Sequence, residues 1–121
     1  MTKAKLLEAI NLLEATLANA ANLGNTWLVD HRRDAIQLRR LLAAQNSEIA
    51  RLGEEAFDNP SHQAQFRNQF AKMRSATALH QASWPVVSID TKNPEYLASV
   101  KSTRDANKQF IAWVRQHLTG P

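Results

Sequence analysis

Two histidines, His31 and His80, are the residues of this sequence whose type and placement best suit chemistry. On a helical reading both face the interior about one or two turns below the same end of the fold, where paired imidazoles could share a proton, an ion or a small ligand. Thr77, Thr103 and Asn107 fall at that end too, with Asn19. Hydroxyls, amides and imidazoles each cost a few kcal/mol, in rough terms, to bury unless they are hydrogen-bonded, so their gathering predicts a shared network or a polar pocket for a small molecule or ion. Leu6, Ile10, Ile49, Leu52, Phe66, Phe70, Phe110 and Val114 fall at the opposite end. The expected core is therefore lopsided, apolar at the bottom and polar at the top.

Metal chemistry is poorly supplied. Two imidazoles are too few for a structural metal centre, Asp30 and Asp34 lie off the inward line, and the chain has no cysteine. The Glu-x-x-His pair of carboxylate-bridged di-iron bundles does not occur. No metal and no cofactor are expected. His62 and His117 come together at the bottom, where His117 in a last helical turn complements the helix dipole. The serines lack a glycine elbow and the acids are spread along helix surfaces, so no catalytic residue is nominated.

Phosphorelay is a further alternative, because histidine phosphotransfer domains are also four-helix bundles of comparable size with an exposed histidine partway along a helix beside lysine and glycine. This sequence departs from that pattern at both candidates. His80 sits in Leu79-His80-Gln81-Ala82-Ser83, and His31 is followed by Arg32 and Arg33 without the small residues a receiver needs. Arg32, Arg33, Arg39 and Arg40 make a basic patch, but Asp30 and Asp34 interleave with it and the helix carrying it is too long for a compact helix-turn-helix. Nucleic-acid binding is not expected.

The elements that must position these residues are helices. Asn59-Pro60 and Asn93-Pro94 each pair a good N-cap with a residue tolerated at the first helical position. Apolar residues at three- and four-residue spacing predict helices over about 2–23, 26–58, 60–84 and 94–119. Gly24 is read as the stop of the first, Asn25 or Thr26 as the cap of the second, and Pro85 as the end of the third. Gly53 lies inside the second helix, where it costs about 1 kcal/mol against alanine, so the last turn is expected to fray or bend. Ala15, Ala18, Ala20 and Ala21 are expected to let a neighbouring helix approach closely. Short connections favour antiparallel neighbours, and the resulting expectation is an all-α, single-domain, antiparallel up-down-up-down four-helix bundle spanning all 121 residues.

The net charge of +4 is modest, and Arg67, Lys72 and Arg74 stand in the third helix with no acid, a face that suits an acidic protein partner or a phosphate. Trp84-Pro85-Val86-Val87-Ser88-Ile89 is apolar for a connector. Val86, Val87 and Ile89 are expected either to close the top of the bundle as a lid or to form a docking patch with Trp84. Glu8 and Glu14 interrupt the first amphipathic stretch, so neither a signal segment nor a membrane span is expected, and with no cysteine the cytoplasm is the default compartment. The leading expectation is a non-catalytic interaction module, adaptor-like, chaperone-like or regulatory, that binds a protein partner or a second copy of itself through Trp84–Ile89 or the basic face of the third helix. The alternative is a small-molecule- or ion-binding sensor or enzyme with its pocket around His31 and His80.

Overall fold

Helix caps and apolar periodicity convert this chain into helices almost throughout. The structure, a computed structural model, describes residues 2–119, the side chains at 25, 26 and 119 excepted. It has α1 (Thr2–Asp30), α2 (Arg32–Ala56), α3 (Pro60–Ser83), a 3-10 turn (Val86–Ser88) and α4 (Pro94–Thr119), with no strand among the described residues. The fold is all-α and forms one domain. Asn59 caps α3 as its sequence suggests, its Oδ1 accepting from the Ser61 N–H at 2.7 Å and the His62 N–H at 3.4 Å. Asn93 Oδ1 does the same for α4, accepting from the Glu95 N–H at 2.8 Å.

The first two helices divide differently from the expectation. Gly24 interrupts the first helix where expected: at φ 82° and ψ 165° it lies in a region of backbone space open essentially to glycine alone, so α1 is two helical runs meeting at this kink, the second reaching Asp30. A second break falls at His31 (φ −127°, ψ 58°), so the continuous helix expected over 26–58 is divided there and α2 starts at Arg32. The expected cap at Asn25 or Thr26 lies outside the described side chains. The other end comes early, because Phe57 turns extended (φ −105°, ψ 121°) and carries its ring into the core, where only 3 % of it stays exposed. Gly53 neither frays nor bends α2; the helix continues through it to Ala56.

Cross-helix pairs set the arrangement. Lys3 pairs with Asp58, and Gln45 Nε2 donates to Thr16 Oγ1 at 2.9 Å, so α1 and α2 run in opposite directions. His80 bonds to Ser99 while Phe66 lies against Trp113, which reverses α4 on α3. Each of these hairpins packs tightly within itself and more sparingly against the other. The apolar residues expected at the bottom do gather there: Leu6, Ile10, Ile49, Leu52, Phe66, Phe110 and Val114 are buried in one cluster, with Phe70 against its edge. Phe66 sits at its centre, its ring centroid 5.5 Å from Phe57, 5.9 Å from Phe70 and 5.8 Å from Phe110. No helix among the described residues is long and apolar enough to cross a membrane.

Candidate functional site

Where the two hairpins part, a cavity of about 520 Å³ opens. Leu13 and Leu17 of α1, Leu38 and Leu42 of α2, and Val100 and Ile111 of α4 supply its apolar walls. Ala18 and Ala21 of α1 line it opposite Arg104, Lys108 and Ala112 of α4, and all five are exposed, so the mouth lies between α1 and α4. The alanines expected to draw a helix close therefore leave space instead, because methyl groups cannot reach across to α4. Just below, Arg115 clamps the two helices: Nη1 donates to Glu14 Oε2 at 2.7 Å, and Nη2 to Glu14 Oε1 and to Asn11 Oδ1, each at 2.8 Å. These hydrogen bonds hold the Glu14 carboxyl below its usual range against a smaller opposing push from desolvation.

Four of the five residues singled out for a pocket, Thr77, His80, Thr103 and Asn107, line this one cavity. His31 does not. It is exposed, stacks on Trp27 with ring centroids 4.3 Å apart, and donates from Nδ1 to the Trp27 carbonyl at 2.9 Å, closing off the helical turn at the α1–α2 break. The two histidines therefore do not share a site, and Asn19 is likewise exposed. Thr103 and Asn107 satisfy themselves within α4: Thr103 Oγ1 donates to the Ser99 carbonyl and Asn107 Nδ2 to the Thr103 carbonyl, both at 2.9 Å.

The sequence reading missed the deepest polar group in the cavity, Asn46. It is 5 % exposed, and its Oδ1, like Gln45 Oε1, is buried without a hydrogen-bond partner among the described residues. The heptad line through Gln45 places Asn46 beside the seam rather than in it, yet Asn46 lies four residues after Leu42 and three before Ile49 and shares their inward face. Leaving such an acceptor bare costs about 1–3 kcal/mol.

His80 is half-buried, with Nδ1 2.6 Å from Ser99 Oγ and its ring tilted against Tyr96. Burial, and then the nearby Arg39 charge, hold its pKa below 6.5, so the native state favours the neutral ring. As pH falls below about 6.5 the unfolded chain takes up this proton before the folded one does, so stability declines from there through the native pKa and is flat above. His80→Gln, which retains a hydrogen-bonding side chain, is expected to remove that share of the acid loss. Urea midpoints for both proteins at about pH 7.5 and 5.5 check it; equal acid losses would mean the imidazole is not desolvated.

The apolar connector closes the top. Val86 and Ile89 are buried at 7 % exposure each, Ile89 forms part of the cavity wall, and Val87 alone of the three valine and isoleucine side chains points outward. Two arginines of the basic patch hold this lid by its backbone: Arg32 Nη1 donates to the Val87 carbonyl at 2.9 Å and Arg39 Nη2 to the Trp84 carbonyl at 2.6 Å. Trp84 is partly buried and meets Tyr96 edge-on at 5.4 Å. On α3, Arg67 is engaged by Glu54 through paired hydrogen bonds of 3.2 and 2.9 Å, Arg74 lies over the Phe70 ring at 5.7 Å, and Lys72 is exposed. At the bottom His62 and His117 meet edge-on at 5.1 Å, and His117 Nδ1 donates to the Trp113 carbonyl, a capping contact. No group of three or more metal-ligating side chains gathers among the described residues. Compared with protein-family models, with curated proteins and with solved structures, the chain finds no match.

Proposed function

We propose that this chain is a ligand-binding helical module, an up-down-up-down four-helix bundle that takes a small organic molecule between its two hairpins. One observation carries the reading: a 520 Å³ cavity with leucine walls holds, at its depth, an Asn46 amide oxygen that is buried and unpartnered. Cavities of this size and lining, with a few placed polar groups, are the usual form of small-molecule sites. A ligand with an apolar body and a hydrogen-bond donor would bury the walls and satisfy the amide together. Thr77 and His80 then flank the ligand.

A neutral fluorescent arylamine, N-phenyl-1-naphthylamine, has both features and tests the proposal. Saturable one-to-one binding to the native protein is expected. Asn46→Leu should raise stability by about 1–3 kcal/mol, since it removes the bare acceptor, and weaken the arylamine about tenfold by removing its hydrogen-bond partner. Absence of saturable binding to the native protein would sink the proposal.

A second reading, an interaction module that binds a protein partner or a second copy, rests on Val87 at 72 % and Leu79 at 70 % exposure. Of the segment proposed for it, Val86 and Ile89 are turned inward, which leaves Val87 and the outer edge of Trp84 as the contact.

A further inference from the structure

The cationic lining of the cavity says more about its occupant. Arg39, Arg104, Lys108 and Arg115 reach it from α2 and α4, against Glu14 alone among acids, and Glu14 is taken up by Arg115. Arg39 is half-buried, donates to the Trp84 carbonyl, and pairs with no carboxylate among the described residues. Desolvation holds its pKa below the usual value, against a smaller opposing pull from the Tyr96 phenol. Arg39 and Arg104 both act on the buried Tyr96 phenol, drawing its pKa back against burial, and Arg39 acts on His80 in the same sense. Positive potential thus converges near Tyr96, while the leucines of α1 and α2 lie along the rest of the cavity.

Resting on the cavity reading above, we infer that the ligand is an apolar monocarboxylate that also carries, on its body, the hydrogen-bond donor Asn46 requires, with its carboxylate set between Arg39 and Arg104 near Tyr96 and its apolar body along Leu17, Leu38 and Leu42. A half-buried guanidinium without a carboxylate of its own is the natural partner of a planar anion, and the low-dielectric wall strengthens the pair. Of the other two cations, Arg115 is already engaged by Glu14 and Lys108 is exposed at the mouth, which leaves Arg39 and Arg104 as the pair for one carboxylate.

Displacement of N-phenyl-1-naphthylamine by decanoate, 1-decanol and decylamine, each below its micellar concentration, tests the charge class. Decanoate is expected to displace the probe at roughly tenfold lower concentration than decanol, and decylamine to be the weakest of the three. Arg104 is exposed and its reversal leaves the packing untouched, so Arg104→Glu should cancel the preference for decanoate over decanol without loss of fold, seen by an unchanged urea midpoint. Arg39→Met should do likewise; if it does not fold, the Arg104 variant alone decides. Equal displacement by the three ligands, or a preference that survives Arg104→Glu, overturns the anion assignment while probe binding still upholds the cavity. A protein that binds neither probe nor ligands overturns both.

Discussion

Gly53→Ala destabilises the domain by about 1–3 kcal/mol, although alanine is the better helix former by about 1 kcal/mol and the site is mid-helix. A Cβ at this position would stand 2.0 Å from Phe66 Cζ and 2.1 Å from Phe66 Cε2. Real Cβ atoms do not approach so closely, so either the ring or α2 must move. The ring is enclosed by Phe57, Phe70, Phe110 and Trp113, which leaves it no rotamer to escape into. Differential scanning calorimetry reads the effect as a midpoint lowered by about 3–6 °C per kcal/mol for a chain of this size. Trimming the ring should restore the balance: Phe66→Leu in the Gly53→Ala background is expected to cost less than the two single changes added together, because the added methyl occupies space the ring has vacated. An alanine variant more stable than the parent would show that the ring yields at little cost.

Gly53 also marks the boundary of what could be read without coordinates. Its price in helix propensity is visible in the sequence and suggests a weak last turn; the reason the helix tolerates it, a phenylalanine ring from α3 packed where a Cβ would stand, is a tertiary contact with no local signature. The same division runs through the molecule. Asn59 and Asn93 announce the starts of α3 and α4 because capping is a contact within two or three residues. His31 announces nothing: the break between α1 and α2 there has no local signature, and a heptad line drawn straight through it predicts a partnership with His80 that does not form. Asn46 was hidden because that line runs through its neighbour Gln45, although both flank the seam between Leu42 and Ile49. Thr77, His80, Thr103 and Asn107 were legible as a group because α3 and α4 are regular between proline-marked ends, so their inward faces keep step with the period of the helix. Arg39 and Arg32 read as surface charge in the sequence, and their work on the connector carbonyls shows only once α2 is laid beside the turn at Val86–Ser88.

Phe110→Ala should be among the most damaging single substitutions in the chain, lowering stability by about 3–5 kcal/mol. Its side chain is wholly buried, with ring centroids 5.8 Å from Phe66 and 5.6 Å from Phe70, and the aromatic neighbours are too large and too tightly held to collapse into the space it leaves. Leu38→Ala supplies the contrast. Leu38 already faces the cavity, so its truncation enlarges an existing space rather than opening a new one, and a loss well under the roughly 2–5 kcal/mol usual for a buried leucine is expected. Guanidinium unfolding of the two variants, fitted with a common slope, measures both. Comparable losses would mean that the upper half of the domain is packed as firmly as the lower. A large difference places the fold's stability in the aromatic cluster at the bottom and leaves the top, with its cavity and bare amide, free to give up packing for a ligand. Filling it would then stabilise the domain through mass action, most visibly in the half that is least packed without it.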